Sequence, residues 1–119
     1  MRFMMLMIPK GYENAAPGAM PDAKAVAAMM KYNESLQKAG VLLALDGLHP
    51  PSMGARVSFP GGKPKVTDGP FAEAKEVLGG YWMIQVKSKE EAIELGVALP
   101  RFGQRSHRGP PGAGVLGLP

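Results

Sequence analysis

The N-terminal segment constrains the fold most, because residues 2–8, apart from Arg2, carry apolar side chains on both of the faces that alternate along a β-strand. This pattern is typical of a central strand that is covered on both sides. Pro9 and the Gly- and Pro-rich residues after it predict a loop at the end of this strand. We therefore expect a sheet that holds its first strand in the interior.

Two segments have the apolar spacing of amphipathic helices, namely residues 22–39 and residues 88 to about 99. Gly40 is a natural stop for the first helix, and Ser88 with Glu91 forms an S-x-x-E capping box at the start of the second. Each helix is expected to cover the sheet with one face. The apolar residues expected on these faces are Val26, Met29, Met30, Leu36, Ile93 and Val97.

Four more segments predict strands, at residues 41–45, 55–59, 63–67 and 81–86. Asp46-Gly47 is expected to end the second strand, and the turn Pro60-Gly61-Gly62 joins the next two strands as a hairpin. This order predicts an α+β fold, in which a mainly antiparallel sheet carries two helices on one face and a β-hairpin insertion. Because the other sheet face stays apolar, we expect the chain to form a homodimer through it.

The chain of 119 residues has the length of one domain, which we assign to residues 1–100. Residues 101–119 form a Gly/Pro-rich basic tail, for which a short final strand and disorder are both open. The net charge of +4 divides into +1 before residue 101, where eleven bases face ten acids, and +3 in the tail. Because the domain has no dense basic patch, a nucleic-acid partner is not expected.

The composition excludes several kinds of chemistry. The chain has no cysteine, so disulfides, thiolate catalysis and cysteine-bound metals are ruled out, which fits a cytoplasmic protein. No apolar run approaches the ~20 residues that span a bilayer, so a membrane partner is not expected. Gly79-Gly80 lacks the Lys-Ser/Thr pair of a phosphate loop, and no H-x-x-x-H spacing occurs, so neither a cofactor nor a metal is expected.

Residues 66–81 have the sequence VTDGPFAEAKEVLGGY. This segment, with AGVLLALDGLHP upstream and SKEEA at the start of the second helix, resembles the DGPF-motif proteins of the YCII-related family over roughly residues 1–100. The resemblance implies a ferredoxin-like fold of the dimeric α/β-barrel type, in which two copies pack sheet to sheet, and a His–Asp pair as the site. Most members have no established activity. Some YCII-like relatives dehydrochlorinate an aromatic ring, and some DGPF proteins are linked by genome context to alternative sigma factors.

His49 and two aspartates are the candidates for catalysis. Histidine exchanges protons near neutral pH, and Pro50-Pro51 stiffens the backbone after His49, so this side chain could shuttle protons or could cap a loop. Asp68 could orient His49 as its acid–base partner, or could accept hydrogen bonds from backbone N–H groups two residues on, in an Asx-type turn. Asp46, where the family commonly has a glutamate, could orient His49 as well.

Arg56 and Phe71 are the candidates for binding a substrate. Arg56 lies on the polar face of its predicted strand, where the guanidinium could clamp a substrate carboxylate or pair with a surface acid. Phe71 is expected to close the DGPF turn and to pack beside the substrate that Arg56 would hold.

These residues leave two functions open. The first is a small-molecule enzyme or ligand binder that uses a His–Asp acid/base pair. The alternative is a non-catalytic accessory or regulatory dimeric module, linked to sigma-factor-dependent transcription. A converged His–carboxylate pair would favour the first function, and an Asp68 carboxylate fully used by backbone N–H groups would favour the second. Neither the substrate nor whether the protein is an enzyme follows from the sequence.

Overall fold

The computed structural model describes residues 1–9, 12, 23–71, 77–100 and 112–119, and it confirms the α+β class. Short 3-10 turns occupy Pro51–Met53 and Pro60–Gly62. No helix of the described part is long and apolar enough to cross a membrane. The strands and helices are β1 (Arg2–Ile8), α1 (Ala23–Lys38), β2 (Leu42–Gly47), β3 (Ala55–Ser58), β4 (Lys65–Asp68), β5 (Gly80–Gln85), α2 (Lys89–Val97) and β6 (Gly112–Gly117).

The main sheet has four strands in the order β2-β5-β1-β6, and every neighbouring pair is antiparallel. β5 lies between β1 and β2, and β1 lies between β5 and β6, so two β-α-β units interleave. This is the ferredoxin-like arrangement, and it confirms that the first strand is central. The hairpin of β3 and β4 forms a separate two-stranded sheet between β2 and β5 in the chain.

Both helices cover one face of the main sheet. The register pairs Phe3 with Ile84 and Met5 with Trp82, which places these four buried side chains on the same face. Burying a large apolar side chain contributes roughly 1.5–3 kcal/mol, so this cluster is the main source of stability. The helix residues buried in the same cluster are Tyr32 and Leu36 from α1, Ala92 from α2 and Leu99 just after it.

Tyr32 links three elements within this core. Its ring meets the Trp82 ring edge-on, with centroids 5.6 Å apart and an interplanar angle of 83°. Its hydroxyl donates to the Leu95 carbonyl oxygen of α2 at 2.5 Å, and burial raises the pKa of Tyr32 to about 12. The indole N–H of Trp82 in turn donates to Asn33 Oδ1 at 2.7 Å. These contacts fix both helices against β5.

The opposite face of the main sheet, which we call the open face, carries Met4, Leu6, Tyr81, Met83 and Leu116. The register places these residues together, because Met4 pairs with both Met83 and Leu116, and Leu6 pairs with Tyr81. Four of them are half-buried, and Leu116 is 55% exposed. Neither helix covers the open face.

The predicted inward faces of the helices are partly wrong. Val26 and Met30 in α1, and Ile93 and Val97 in α2, are exposed, whereas Leu36 is buried as predicted. Each helix has two apolar stripes about 100° apart, and local spacing does not decide between them. Packing against the sheet selects the stripe, and in α2 the small side chain of Ala92 lets the helix approach closely. The residues that α2 turns inward are Ala92 and Leu95, and Leu99 just after the helix continues the same stripe.

Two strands are longer than predicted. β2 continues through Gly47 instead of ending at Leu45, because Gly47 pairs with Gly80 and the two backbones approach closely there. A Cβ atom built on Gly80 would lie 2.9 Å from the Asp46 carbonyl oxygen, so only glycine fits. The final strand, for which the sequence left a short strand and disorder open, extends over Gly112–Gly117 as β6.

The predicted cap of α2 is confirmed, since Ser88 Oγ accepts a hydrogen bond from the Glu91 N–H at 3.2 Å.

Candidate functional site

Two loops pack against each other where the hairpin joins the sheet. The His loop (residues 48–54) follows β2, and the DGPF loop (residues 68–71) includes the last residue of β4. The Gly69 N–H donates to the Gly54 carbonyl oxygen at 2.9 Å. A Cβ atom built on Gly69 would lie 1.8 Å from the Pro51 carbonyl oxygen, so the contact requires glycine. The Gly69–Pro70 peptide bond is cis. The two segments singled out in the sequence therefore form one unit.

Arg56 and Phe71 meet beside this loop pair. The guanidinium carbon of Arg56 lies 4.3 Å from the centroid of the half-buried Phe71 ring, in a cation–π contact. Among the described residues no acid forms an ion pair with Arg56. The structure thus brings together the two predicted substrate-binding residues, and the ring holds the guanidinium in place while its N–H groups stay accessible.

Asp68 faces away from Arg56. Asp68 pairs with Ala55, and Thr67 pairs with Arg56, so the carboxylate and the guanidinium project from opposite faces of the hairpin. The predicted Asx-type turn is wrong, because Pro70 has no N–H and the Gly69 N–H donates to Gly54. The Asp68 side chain is exposed, and within the described ranges no group donates a hydrogen bond to its carboxylate.

Hydrogen bonds hold both backbone groups of Leu48, the residue before His49. The Leu48 N–H donates to the Gly79 carbonyl oxygen at 2.9 Å, and the Leu48 carbonyl accepts from the Tyr12 hydroxyl. Burial raises the pKa of Tyr12, so this hydroxyl keeps its proton. The His49 side chain is exposed. In the described part of the chain no hydrogen bond or ion pair joins it to Asp46 or Asp68, so the His–Asp pair stays a prediction.

Asp46 and Tyr81 form a hydrogen-bonded side-chain pair in this region. The Tyr81 hydroxyl donates to Asp46 Oδ2 at 3.2 Å, across the paired strands β2 and β5. The hydrogen bond to Asp46 raises the pKa of Tyr81, and the charge of that carboxylate and slight desolvation add to the effect. A carboxylate that can accept a proton thus lies beside a phenol that retains one.

Sequence reasoning missed Tyr81 as a site residue. One signal was available, because Tyr81 alternates with the buried Trp82 and so lies on the opposite, open face. The neighbouring glycines also matter. A Cβ atom on Gly79 would lie 2.7 Å from Pro9 Cγ. The Gly79 backbone also bonds to Met7 and Leu48, so the ends of β1, β2 and β5 lie close together there.

No group of three His, Asp or Glu side chains within the described residues is placed to hold a metal ion. An open groove of about 620 Å³ lies between α1 and β2, where Met30, Asn33 and Leu45 contribute to its walls. None of the predicted site residues lines this groove, so the groove is separate from the candidate chemistry.

The family model of the YCII-related domain matches residues 1–106. This match includes the His loop, the DGPF loop and the Asp46–Tyr81 pair, and the strand order of the main sheet agrees with the ferredoxin-like fold expected of the family. No curated protein matches the chain. The match covers most of the sequence, so the chain belongs to the YCII-related family.

Proposed function

We propose that this protein binds a small polar molecule at the Asp46–Tyr81 pair and catalyses a proton transfer on it. The observation that carries the proposal is the 3.2 Å hydrogen bond from the Tyr81 hydroxyl to Asp46 Oδ2. A carboxylate and a phenol in contact at the edge of an apolar surface can act as base and hydrogen-bond donor in one reaction.

The proposed roles follow from the protonation states. Asp46 takes a proton from the ligand, and Tyr81, whose raised pKa keeps it neutral, turns its hydroxyl toward the oxygen on which negative charge develops. His49, which is exposed and follows β2 by two residues, exchanges the proton with solvent. The proton therefore leaves the ligand, resides on Asp46 and reaches water through the imidazole.

Arg56 is proposed to bind an anionic group of the ligand. Its contact with Phe71 fixes the guanidinium before a ligand arrives, which lowers the entropic cost of binding. Asp68, on the other face of the hairpin, does not neutralise it. A small molecule with a carboxylate and an ionisable C–H or O–H bond fits these residues.

A second copy of the chain is proposed to complete the site. The open face carries apolar side chains next to Asp46 and Tyr81, and a partner sheet packed on it would exclude water from the pair. Exclusion of water strengthens the hydrogen bond between the phenol and a developing negative charge. The homodimer is thus part of the proposed mechanism.

Proton exchange in D₂O tests this function without knowledge of the natural substrate. Small ring-shaped keto acids and hydroxy acids are incubated with the protein, and loss of C–H signals is followed by NMR. We expect catalysed exchange in at least one compound, slowed about 100-fold by Asp46→Asn and less by Tyr81→Phe. An exchange rate that Asp46→Asn leaves at the wild-type value would contradict the proposal. Asp68→Asn is the matched control, because Asp68 is not in contact with Tyr81.

A different observation favours the non-catalytic alternative. The hairpin exposes several large apolar side chains, which is typical of surfaces that contact other proteins. An accessory or regulatory dimeric module, such as one serving sigma-factor-dependent transcription, would need this surface and not the Asp46–Tyr81 pair. Hairpin variants that abolish the biological effect while Asp46→Asn preserves it would support this alternative.

A further inference from the structure

One face of the β3–β4 hairpin is polar and positively charged. Side chains alternate between the two faces of a strand, and the register pairs Arg56 with Thr67 and Ser58 with Lys65. These four residues therefore share one face, which we call the polar face, and all four are exposed. Asp68 lies on the opposite face. Within β3 and β4 the polar face thus has two cations, two hydroxyl groups and no acid.

The two cations of the polar face are close enough to bind one anionic group. Lys65 is two residues from Thr67, the direct partner of Arg56, and such diagonal positions lie about 7–8 Å apart. Both cationic side chains are long, and within the described residues neither forms an ion pair. Because like charges at this separation repel each other, an anion placed between them is favoured.

The donors of the polar face are partly fixed before a ligand binds. The guanidinium carbon of Arg56 lies 4.3 Å from the centroid of the Phe71 ring, and this stacking leaves the N–H groups at the guanidinium edge free to donate. Thr67 lies opposite Arg56, and Ser58 lies opposite Lys65, so each cation has a hydroxyl donor beside it. A guanidinium, an ammonium and two hydroxyls suit an anion with several acceptor oxygens.

We propose that the polar face binds the phosphate group of a small phosphate monoester. Such a group has a charge of about −1.5 to −2 near neutral pH and about three strong acceptor oxygens, which matches two cations and two hydroxyls. A carboxylate has a single charge and engages only one of the cations, and so does each phosphodiester group of a nucleic acid. The inference rests on the proposed function, in which Arg56 holds the anionic group of the ligand, and it adds Lys65, Ser58 and Thr67 to that role.

Titration with inorganic phosphate and with glycerol phosphate at low salt tests the site, with amide chemical shifts as the readout and acetate as the monoanion for comparison. We expect shifts in β3 and β4, and both phosphates should bind at least about 10-fold more tightly than acetate, because they engage both cations. Lys65→Gln should weaken phosphate binding at least about 10-fold. Lys31→Gln on α1 is the matched control, because it removes the same charge away from the hairpin, and it should leave the affinity unchanged.

The amide spectrum also verifies that each variant is folded. The inference is overturned if phosphate binds no more tightly than acetate, if Lys65→Gln and Lys31→Gln have the same effect, or if the shifts lie outside the hairpin. Vesicles of phosphatidic acid in phosphatidylcholine present the same monoester on a membrane. Co-sedimentation with these vesicles in the absence of glycerol phosphate binding would overturn the assignment to a small molecule.

Failure of this inference can be distinguished from failure of the proposed reaction. Asp46→Asn should bind phosphate as the wild type does, because Asp46 is not part of the polar face. Phosphate binding without proton exchange in D₂O would support the polar face as a site and contradict the reaction at Asp46 and Tyr81. Proton exchange without phosphate binding would support the reaction and overturn the inference.

Discussion

The Tyr81 hydroxyl donates to Asp46 Oδ2 at 3.2 Å although the two residues are 35 positions apart in the chain. The contact exists because β2 and β5 are neighbours in the sheet and their register places Asp46 opposite Tyr81. It places a carboxylate and a phenol on the open face, at the end of β2 from which the His loop begins. The pair therefore joins β2 to β5 close to the start of the loop that carries His49.

Replacement of Asp46 by asparagine should lower the pKa of Tyr81. The hydrogen bond to Asp46 and the charge of the carboxylate raise this pKa above 10.0, and asparagine removes the charge and can donate to the phenolate. Because the raised pKa favours the neutral phenol, the associated stability is present below pH 10 and is lost as the pH rises through the folded-state pKa. The measurement is the ultraviolet titration of the phenolate, with Tyr81→Phe identifying the signal. An unchanged titration in Asp46→Asn would show that the pair does not form.

Replacement of Tyr32 by phenylalanine should lower the free energy of unfolding by about 1–3 kcal/mol, because the Leu95 carbonyl loses its buried donor. Urea denaturation at neutral pH measures this change. The wild type should also lose stability as the pH rises from 10 to about 12, because the pKa of Tyr32 is higher in the folded than in the unfolded state. Tyr32→Phe should be less sensitive to pH in this range, and equal sensitivity would refute the assignment.

Replacement of Gly69 by alanine should separate the His loop from the DGPF loop. The added Cβ would lie 1.8 Å from the Pro51 carbonyl oxygen, a backbone atom that cannot move aside alone. We expect a loss of more than about 1 kcal/mol in the free energy of unfolding, and changed amide chemical shifts across both loops. Gly47→Ala is the matched control, because a Cβ at Gly47 meets no atom within 4 Å. Equal stability of the two variants would argue against the contact.

Replacement of Leu6 by aspartate should abolish the dimer that we propose to form through the open face. A charge in the centre of an apolar interface cannot be hydrated or paired there, so association becomes unfavourable. Sedimentation equilibrium should give a monomer for this variant. Met30→Asp places the same charge on an exposed position of α1 and should leave the dimer intact. A Leu6→Asp chain that remains dimeric would place the interface elsewhere.

Much of the fold could be predicted because its signals are local. The apolar residues 2–8, the Ser88–Glu91 cap and the glycine turn of the hairpin each determine structure within a few residues, and each was confirmed. The inward face of α2 could not be predicted in this way. Ile93 and Val97 are as apolar as the inward residues, and only packing against the sheet chooses between the two stripes.

The candidate site was predicted in part. The residues of the DGPF motif led to the loop pair and to Arg56 and Phe71, which are in contact. The Asp46–Tyr81 pair depends on which strands are neighbours and on their register, and these are set by the whole sheet and not by local pattern. The glycine-rich β6 was undecided for the same reason, since its pairing with β1 is what makes it a strand.

The position of β1 between β5 and β6 has a consequence for synthesis on the ribosome. The backbone carbonyl oxygen of Arg2 accepts a hydrogen bond from the Leu118 N–H at 3.0 Å. The Arg2 guanidinium donates to the carbonyl oxygen of Pro119, 117 residues away in the chain, at 3.3 Å. One edge of β1 therefore stays unpaired until β6, which lies far later in the chain, has been translated. Such long-range pairing slows folding, and an apolar nascent strand held open in this way is a natural binding site for chaperones that recognise emerging chains.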